Sequence, residues 1–484
     1  MKKQLLLFLI LMLMAITAGC GGGSSSVGSD SSIVTITVGG NGQSASVKIE
    51  RNTFFVQVRM FVRNLMKSSS AVAAIPQNVT DIFFTISAPG MTTFTRDVPV
   101  SGRSTITETF TVPNGKNRHF LVKAKDAAGT VQFCGWQDAD LEGIPITLII
   151  DMKSTLYVDV NTGSDTSNCK DVSTPCRTIP YAITQTAGNE EIFVAAGTYN
   201  TASGGTFPLV LKPGTFLNCA GANHSTIIDG STAIGEDRTA LRGAPGALIQ
   251  GCTVIGDPAI DDNEDIITIN DCVIDGSGIC TVRGIALSAS SSVKNSTVSN
   301  IRCEGSDGIR ITGGKPAVKG NTLLNNDLGV FITGGTPTLT DNTISKNAAG
   351  ISIFDSSPII TGNTITGNIY TGIIIVNNEI TSRPSITNNK ITQNGNGIIV
   401  GKVDTTPPNP LINHNTLSCN TRVDLLNYTA IMVNAQNNSW DHSPPKEFTS
   451  ESVCKENPGA DICNLVEGGS VDHTGSTMAA FPCP

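Results

Sequence analysis

Side chains that could do chemistry on a sugar chain gather in one short part of this sequence, between residues 242 and 310. We predict Asp261 and Arg310 as the catalytic pair, with ligand-binding side chains beside them at Arg242, Asn263, Arg283 and Arg302. A lyase acting on uronic acids needs a basic group that removes a proton next to a carboxylate, and carboxylate ligands for Ca²⁺. A glycosidase needs two carboxylates at a fixed separation. The inventory suits either enzyme, and it also suits ordinary solvated loops.

Signals for metals and for nucleic acid are weak. The five His residues, at positions 119, 224, 414, 442 and 473, are scattered and show no metal-ligand spacing. Asp165 and its neighbours could hold Ca²⁺, although a polar turn explains them more simply. We therefore predict no metal site and no cofactor, with Ca²⁺ as the one ion that the acidic residues could accept. A net charge of −8 gives no reason to expect nucleic acid as a partner.

The elements that must position these residues are revealed by a repeat in the second half of the chain. Pro316, Pro337, Pro358, Pro384 and Pro410 are spaced 21, 21, 26 and 26 residues apart, and each is followed five residues later by an Asn. A second Asn follows each first one after five more residues, at positions 326, 347, 368, 394 and 420. Short apolar triplets separated by Asn, Gly and Thr at this period predict a stacked β-coil. Helix formers at helical spacing are missing, which argues against an α-solenoid.

Each coil is predicted to contain three short strands with a two-residue side-chain period. In one coil Val330, Ile332, Leu339 and Ile344 would point inward, and the next coil places aliphatic residues at the matching positions 351, 353, 360 and 365. The recurring residues Asn342, Asn363 and Asn389 are predicted at a sharp bend, because Asn tolerates the left-handed backbone region. Their stacked amides should form hydrogen bonds from coil to coil.

This pattern resembles the right-handed parallel β-helix of the pectate-lyase-like superfamily, the fold of many polysaccharide lyases, glycosidases and surface proteins. The resemblance covers about residues 191–440 and is specific for fold rather than for activity. The Asn-Thr-Asp, Gly-His-Gly and Arg-Ile-Lys signatures of polygalacturonases are missing from the sequence, as is the Asp-Pro-His element of alginate epimerases. The pair Asp261-Asp262 only echoes the paired Asp of the polygalacturonases.

One outer face of the predicted β-helix changes character along the axis. Its outward column reads Asp261, Ala286, Arg310, Phe331, Ser352, Ile374 and Ile399, so polar residues come first and apolar ones follow. Phe354 and Val376 extend the apolar part, which we call the apolar stripe together with Phe331, Ile374 and Ile399. Exposure of such a contiguous apolar surface to water is unfavourable. We predict that the N-terminal domain or a second chain covers it.

The opening of the β-helix resembles a domain family of unknown function. The resemblance rests on Tyr157-Val-Asp-Val-Asn-Thr-Gly-Ser-Asp165, on Thr174-Pro-Cys-Arg-Thr-Ile-Pro-Tyr-Ala182 and on Ala196-Gly-Thr-Tyr199. Residues 180–187 are predicted to form a short helix that plugs the first coil, where strand edges would otherwise be exposed. At the other end we expect Trp440 to cover the last apolar layer.

The N-terminus predicts secretion and a lipid anchor. Lys2 and Lys3 precede an apolar run and then Thr17-Ala-Gly-Cys20, which resembles a bacterial lipoprotein cleavage site with Cys20 as the lipidated residue. An ordinary signal peptide with an incidental Cys is the alternative. The resemblance implies a protein at the outer membrane or cell surface.

We predict five segments, and the fold class is all-β. Residues 1–19 are a signal peptide, 20–32 a Gly- and Ser-rich tether and 33–152 an immunoglobulin-like β-sandwich, since short alternating strands fill this part. Residues 153–440 are a right-handed parallel β-helix of about ten coils, and 441–484 a Cys-containing cap. The sandwich would either bind glycans or act as a spacer.

The cysteines suit an oxidising compartment. Of 13 Cys, 12 are left once Cys20 is set aside. Coil register and local spacing predict disulfides within the pairs Cys280 and Cys303, Cys252 and Cys272, Cys169 and Cys176, and Cys454 and Cys463. For Cys252 and Cys272, stacked free thiols in the core are the alternative.

Two functions stay open at the level of sequence. The first is a surface-anchored, non-catalytic lipoprotein whose β-helix binds a polysaccharide or a partner protein. The second is a polysaccharide lyase or glycoside hydrolase that uses the residues around Asp261 and Arg310. The apolar stripe and the missing signatures favour the first.

Overall fold

The computed structural model describes residues 31–38, 75, 79–88, 91–103, 105–129, 131–150, 153–233, 237–277, 280–377, 382–402, 407–450, 454 and 460–479. The predicted signal peptide, Cys20 and nearly all of the tether lie outside these residues. Among the described residues, no helix has the length and apolarity that crossing a membrane requires. Apart from strands, the described residues contain the short α-helix Ile179–Gln185, a helical residue at Cys454 and two 3₁₀ turns, Ala222–His224 and Gly230–Thr232.

Most of the chain forms a parallel β-solenoid of the right-handed type, which confirms the predicted fold class in its main part. Each coil contributes one short strand to each of three parallel sheets. Sheet I contains Lys153–Val158, Glu191–Val194, Phe216–Cys219, Leu248–Gln250, Thr268–Asn270, Ser292–Lys294, Ala317–Lys319, Thr338–Thr340, Ile359–Thr361, Ser385–Thr387, Leu411–Asn413, Met432–Asn434 and Ser470–Asp472.

The other two sheets have twelve strands each. Sheet II contains Gly197–Tyr199, Thr226–Asp229, Thr253–Ile255, Val273–Asp275, Thr297–Ser299, Thr322–Leu324, Thr343–Ser345, Thr364–Thr366, Lys390–Thr392, Thr416–Ser418, Ser439–Trp440 and Thr477–Met478. Sheet III contains Leu209–Val210, Leu241–Arg242, Ile260–Asp261, Arg283–Leu287, Asp307–Ile311, Leu328–Ile332, Ala349–Phe354, Thr371–Asn377, Asn396–Lys402, Val423–Asn427, Ala460–Asn464 and Glu447–Phe448.

The interior is a column of aliphatic side chains, as the repeat predicts. Val330, Ile332, Leu339 and Ile344 are all fully buried, and the strand register places Val330 beside Ile351 and Ile332 beside Ile353. Each such side chain contributes about 1.5–3 kcal/mol through burial. Because one coil cannot bury its own apolar side, this core exists only when the coils stack.

Two ladders of buried Asn side chains run along the corners of the solenoid. The first, through Asn342, Asn363 and Asn389, confirms the prediction, and the second was not predicted. In the first ladder, at the corner between sheets I and II, Asn342 Nδ2 donates to Asn363 Oδ1 at 2.8 Å, and Asn363 Nδ2 donates to Asn389 Oδ1 at 2.9 Å. In the second, between sheets II and III, Asn347 Nδ2 donates to Asn368 Oδ1 at 3.0 Å.

The predicted backbone of the ladder residues is wrong in one respect. The left-handed residue at each bend is the one before the Asn: Asp341 has φ of 57° and Asn388 has φ of 57°, ahead of Asn342 and Asn389. The preceding residue makes the turn, and the Asn side chain can then point into the interior and hydrogen-bond to the Asn of the next coil.

The two ends of the solenoid are closed differently. At the start, the α-helix Ile179–Gln185 begins at the N-cap Thr178 and buries Ile179, Ala182 and Ile183 against the first coil. At the other end, Trp440 is fully buried, but parallel stacking continues beyond it, since Ala460–Asn464, Ser470–Asp472 and Thr477–Met478 add to the three sheets. The segment predicted as a cap therefore supplies a further coil.

The N-terminal unit consists of two sheets with a separate hydrophobic core. One sheet has the strand order Ile106–Pro113, Ser31–Val38, Ile146–Ile150. The other has the order Phe94–Pro99, Asp81–Ser87, Gly115–Lys125, Val131–Leu141, and its last strand pairs antiparallel with Lys153–Val158 of sheet I. Its immunoglobulin-like character stays a prediction.

This unit packs against sheet I, which corrects one of the two predictions for the apolar stripe. Trp136 lies against Phe216 with ring centroids 6.3 Å apart, and Lys319 Nζ contacts Asp140 Oδ2 at 2.7 Å. Phe216 and Lys319 belong to sheet I, whereas the stripe lies on sheet III. Within the described residues, the N-terminal unit thus does not cover the stripe; coverage by a second chain stays a prediction.

The structure joins Cys169 to Cys176, Cys280 to Cys303 and Cys454 to Cys463. The predicted pair of Cys252 and Cys272 is wrong, because Cys252 is joined to Cys219. Cys272 is buried as a thiol, the alternative reading of the sequence, and burial raises its pKa to about 12. Cys419 is also disulfide-bonded.

Candidate functional site

The first candidate site is a cleft of about 360 Å³ on the outer face of sheet III. We call it the polar cleft, and it is lined by Asp261, Asn263, Glu264, Arg283, Ala286, Leu287, Ser288, Arg310 and Thr312. The structure thus brings together four predicted site residues, namely Asp261, Asn263, Arg283 and Arg310. Its volume lies at the lower end of the range of about 300–1,000 Å³ that is usual for ligand sites.

The strand register explains why these side chains converge. Asp261 pairs with Ala286, and Ala286 pairs with Arg310, so the three residues form one outward column. Neighbouring strands lie about 4.8 Å apart, which separates the backbones of Asp261 and Arg310 by about 10 Å. The small side chain of Ala286 leaves the space between them open.

Arg310 is held in place by a buried carboxylate. Its Nε donates to Asp307 Oδ2 at 2.5 Å, and Asp307 is fully buried. Burial raises the pKa of Asp307, while the Arg310 guanidinium opposes that shift. The guanidinium also lies over the Phe331 ring, 5.1 Å from its centroid. An Arg does not lose its proton in a protein, so this geometry suits ligand binding and not proton removal.

The adjacent carboxylates of Asp261 and Asp262 have different surroundings. Asp261 lines the polar cleft, where its Oδ1 accepts a hydrogen bond from the backbone of Asn263 at 2.9 Å. Asp262 is fully buried and accepts hydrogen bonds from both the backbone and the hydroxyl of Ser288 and from the Ser291 hydroxyl. Asp262 therefore holds the loop, and Asp261 is the carboxylate that a ligand could reach.

Two predicted ligand-binding residues do not line the polar cleft. Arg242 lies beside Asp261 in the register, at the end of the cleft, and its Nη2 donates to Asp237 Oδ2 at 2.6 Å. Arg302 lies on the loop between sheets II and III, where its Nε donates to the Asn325 carbonyl at 3.0 Å. Arg302 is exposed, whereas Arg242 is half-buried, and each already has a hydrogen-bond partner within the protein.

A groove of about 620 Å³ lies further along sheet III, and it was not predicted from the sequence. It includes Ile399 of the apolar stripe, and Tyr370 and Tyr428, which are 59% and 41% exposed, stand at its border. Leu426, in line with Ile399, packs with Phe448, so the C-terminal coil covers this end of the stripe. The two Tyr were missed because they fall outside the repeated strand positions.

A second cluster of polar groups consists of three acidic side chains, and it too was not predicted from the sequence. Carboxylate oxygens of Asp424, Asp441 and Asp461 all lie within 4.8 Å of one another. Burial raises the pKa of Asp424 well above its ordinary value, and the charges of Asp441 and Asp461 add to the shift. This arrangement contrasts with Asp165, whose carboxylate accepts hydrogen bonds from the backbone of Arg177 and from the hydroxyl of Thr178.

The signal that could have revealed this cluster is a break in the repeat. Gly350, Gly372 and Gly397 occupy one register position in successive coils, and the same position then holds Asp424 and Asp461. An acidic residue in place of a recurring Gly at a buried corner would have indicated a candidate site.

A family model described as a protein of unknown function, DUF1565, matches residues 161–447. Among solved structures, the Dettilon tailspike protein is 14% identical with a TM-score of 0.41, covering 66% of this chain and 68% of that one. A lacto-N-biosidase of family GH136 from Eubacterium ramulus is 10% identical with a TM-score of 0.38, covering 68% of both chains. The pectate lyase Pel9A is 11% identical with a TM-score of 0.32, covering 67% of this chain and 78% of that one. No curated protein matches the chain.

Proposed function

This chain belongs to the DUF1565 family of proteins of unknown function, and from that starting point we propose that it binds glycans at the polar cleft without cleaving them. The observation that carries the proposal is the convergence of Asp261, Asn263, Arg283 and Arg310 on one cleft. Specific ligand sites typically combine a few placed polar groups with apolar surface. Here the polar groups come from four strands or loops, and Ala286 and Leu287 supply apolar surface within the cleft. Phe331 lies beside the cleft, against Arg310.

The chemistry of the cleft suits a sugar rich in hydroxyl groups. A hydroxyl both donates and accepts hydrogen bonds. The carboxylates of Asp261 and Glu264 can accept, whereas the guanidinium groups of Arg283 and Arg310 can donate. The Arg283 side chain lines the cleft, so its guanidinium can donate to a ligand oxygen there. The Phe331 ring could then pack against the apolar face of a neighbouring sugar.

The fixed guanidinium of Arg310 argues against lyase chemistry. It is bonded to Asp307, and a permanently protonated group cannot remove a proton from a uronic acid. The alternative function is a polysaccharide lyase or glycoside hydrolase. One observation favours it: Asp261 and Glu264 place two carboxylates in the same cleft, which is what hydrolysis of a glycosidic bond requires.

We further propose that the protein is secreted and held at the outer membrane or cell surface by a lipid on Cys20. The tether that follows would leave room for the glycan to approach. The disulfides among the described residues support an oxidising compartment, since such bonds persist there and are rare in the cytosol. The N-terminal unit would then act as a spacer between the anchor and the solenoid.

The test of glycan binding uses the purified full chain on an array of polysaccharides. We expect Asp261→Asn and Arg283→Ala each to weaken binding by about tenfold or more, since each removes a charged hydrogen-bonding group. The matched control is Arg302→Ala, which removes a guanidinium outside the cleft and should leave binding unchanged. Equal binding by all four proteins, or by none, would exclude the polar cleft as the glycan site.

The same polysaccharides, incubated with the chain and then sized, separate binding from catalysis. Intact polysaccharide after prolonged incubation is the result that we expect. Cleavage that is lost in Asp261→Ala and kept in Arg302→Ala would instead establish the enzyme and refute the non-catalytic proposal.

A further inference from the structure

We propose that Asp424, Asp441 and Asp461 form a Ca²⁺ site that fastens the last coil of the solenoid. The site is separate from the polar cleft, because the strand that contains Asp424 lies seven strands beyond that of Asp261 in sheet III. Its role would be structural, and the glycan proposal does not depend on it.

Three segments that are far apart in sequence deliver the three carboxylates. Asp424 lies on Val423–Asn427 and Asp461 on Ala460–Asn464, and the register pairs Val423 with Ala460 and Leu425 with Ile462. Asp424 and Asp461 are therefore stacked on neighbouring strands. Asp441 directly follows Ser439–Trp440 of sheet II. A cation at this place would bind the last regular coil to the one that closes the molecule.

Asp424 also ends the second Asn ladder. In the earlier coils each ladder amide donates to the next Asn, as Asn394 Nδ2 does to Asn420 Oδ1 at 3.0 Å. At the last step Asn420 Nδ2 donates to Asp424 Oδ1 at 2.6 Å. One oxygen of Asp424 thus completes the ladder, and the other is left for a different partner.

Two buried carboxylate oxygens in the cluster have no hydrogen-bond partner among the described residues. They are Oδ2 of Asp424, a residue that is 1% exposed, and Oδ1 of Asp461, which is 0% exposed. The other oxygen of Asp461 is already used, since His442 and the Lys446 backbone both contact it. Leaving a buried carboxylate oxygen without a partner is costly, and a cation coordinated by these oxygens would remove that cost.

The type and the number of the donor groups favour Ca²⁺ over other ions. Carboxylate oxygens are hard ligands, and Ca²⁺ binds them at about 2.3–2.6 Å, so oxygens on opposite sides of the ion lie about 4.6–5.2 Å apart. The three carboxylates fit, because their oxygens lie within 4.8 Å of one another. Mg²⁺ gives up its water reluctantly and is usually held by one or two carboxylates with several waters, so it suits a buried set of three carboxylates less well. Water or backbone oxygens would supply the remaining ligands.

The first test follows thermal unfolding of the full chain in EDTA, in millimolar Mg²⁺ and in millimolar Ca²⁺. We expect Ca²⁺ to raise Tm by about 2–6 °C, and Mg²⁺ by less, because a ligand that binds only the folded state stabilises it. Asp441→Asn should lose the Ca²⁺ response. Asp472→Asn, which changes an acid of the same coil outside the cluster, should keep it.

A further variant separates a metal site from a merely structural acid. In EDTA, Asp424→Asn removes one of three mutually repelling carboxylates and keeps an oxygen for Asn420, so we expect it to unfold no earlier than the unaltered chain. In Ca²⁺ it should lack the increase in Tm. A structural role alone would instead lower Tm equally in both solutions, and that result would overturn the proposal.

Terbium gives a direct reading of occupancy, because Tb³⁺ replaces Ca²⁺ and emits when excited through a nearby Trp. Trp440 adjoins Asp441, whereas Trp136 lies in the N-terminal unit. Emission should therefore disappear in Trp440→Phe, persist in Trp136→Phe and decline as Ca²⁺ is added. Emission that persists in Trp440→Phe, or the lack of any emission from the unaltered chain, would refute the site.

Discussion

At the scale of single residues, the buried Asn side chains show how a solenoid can hold polar groups inside. Asn363 accepts from the backbone and amide nitrogens of Asn342, and it donates to Asn389 Oδ1 and to the Leu339 carbonyl. Every polar atom of the amide thus has a partner, which is the condition for burial at low cost. The ladder therefore fixes the register between coils as well as contributing stability.

Breaking one ladder position should be costly. Asn363→Ala leaves the buried backbone N–H of Asn342 without its acceptor and removes one hydrogen bond each from Asn342 Nδ2 and the Leu339 carbonyl, so we expect it to lower the free energy of unfolding by about 2–4 kcal/mol. Thr343→Ala, at an exposed strand position one coil earlier, should cost less than about 0.5 kcal/mol. Urea unfolding followed by circular dichroism measures both, and equal costs would contradict the role of the ladder.

The contact between His224 and Asp271 should make a pH-dependent contribution to the stability of the folded protein. His224 Nε2 lies 3.3 Å from Asp271 Oδ1, and this hydrogen bond raises the pKa of His224. A raised pKa means that the stabilisation is fully present below the pKa of the unfolded chain, about 6.5, and is lost as the pH rises through the folded value.

The measurement compares the unaltered chain with Asp271→Asn. The advantage of the unaltered chain in Tm should be largest near pH 5.5 and small near pH 9, and it should be modest throughout because both side chains are partly exposed. Asp171→Asn, an exposed acid away from any His, should show a constant difference over this range. An advantage that increases with pH would contradict the assignment.

At the scale of elements, glycine sets how closely the coils approach at the corner between sheets II and III. A Cβ built at Gly397 would meet the Asp424 carbonyl at 2.3 Å and Asn420 Nδ2 at 2.9 Å. Such a contact cannot be relieved by rotating a side chain, since the nearest atom is backbone. A glycine here keeps the ladder and the neighbouring strand in hydrogen-bonding range.

Two Gly→Ala substitutions on the same strand test this packing. Gly397→Ala should lower the free energy of unfolding by about 3 kcal/mol or more, because it forces the coils apart. Gly401→Ala lies on the same strand, and its Cβ would find its nearest neighbour at 4.0 Å. It should cost less than about 1 kcal/mol. Comparable losses for the two variants would show that close approach is not the cause.

The repeat itself predicts much of the solenoid but little of what lies outside it. The period locates the inward residues and the first Asn ladder, because each coil repeats the same contacts at the same positions. The pair Cys219 and Cys252 was missed since the early coils lack the Pro and Asn marks that fix register. The break in the repeat at Asp424 is visible in the sequence, but Asp441 and Asp461 belong to a coil whose strands are separated by long loops, which a fixed period cannot align.

At the scale of the whole molecule, the N-terminal unit joins the solenoid at sheet I, where Val131–Leu141 also pairs antiparallel with Lys153–Val158. Trp136 packs against Phe216, and Leu248 lies in the same apolar cluster. Ion pairs surround it, including the contact between Lys116 Nζ and Asp341 Oδ2 at 2.6 Å. The docking surface was not predicted because the outward column of sheet I alternates between apolar residues, such as Ile359 and Leu411, and polar ones in the regular repeats. Its aromatic contact residue, Phe216, falls in an early, irregular coil.

Apolar contact should dominate this docking. Trp136→Ala should weaken it by about 3 kcal/mol, which small-angle X-ray scattering would detect as an increased maximum dimension, with the solenoid still folded by circular dichroism. Lys116→Ala removes an exposed ion pair worth less than about 1 kcal/mol and should leave the dimension unchanged. An opposite ranking would assign the docking to charge.

The hydrogen bonds of the ladders all run in one direction, and this has an electrostatic consequence. Each Asn amide turns its oxygen towards the preceding coil and its nitrogen towards the next, as the pairs from Asn326 to Asn420 show. Aligned in this way, the amide dipoles add and polarise one another, so partial positive charge accumulates at the C-terminal end of the row. Asp424 stands at that end. The row is thus a side-chain counterpart of the dipole of an α-helix, with a carboxylate where its positive pole emerges.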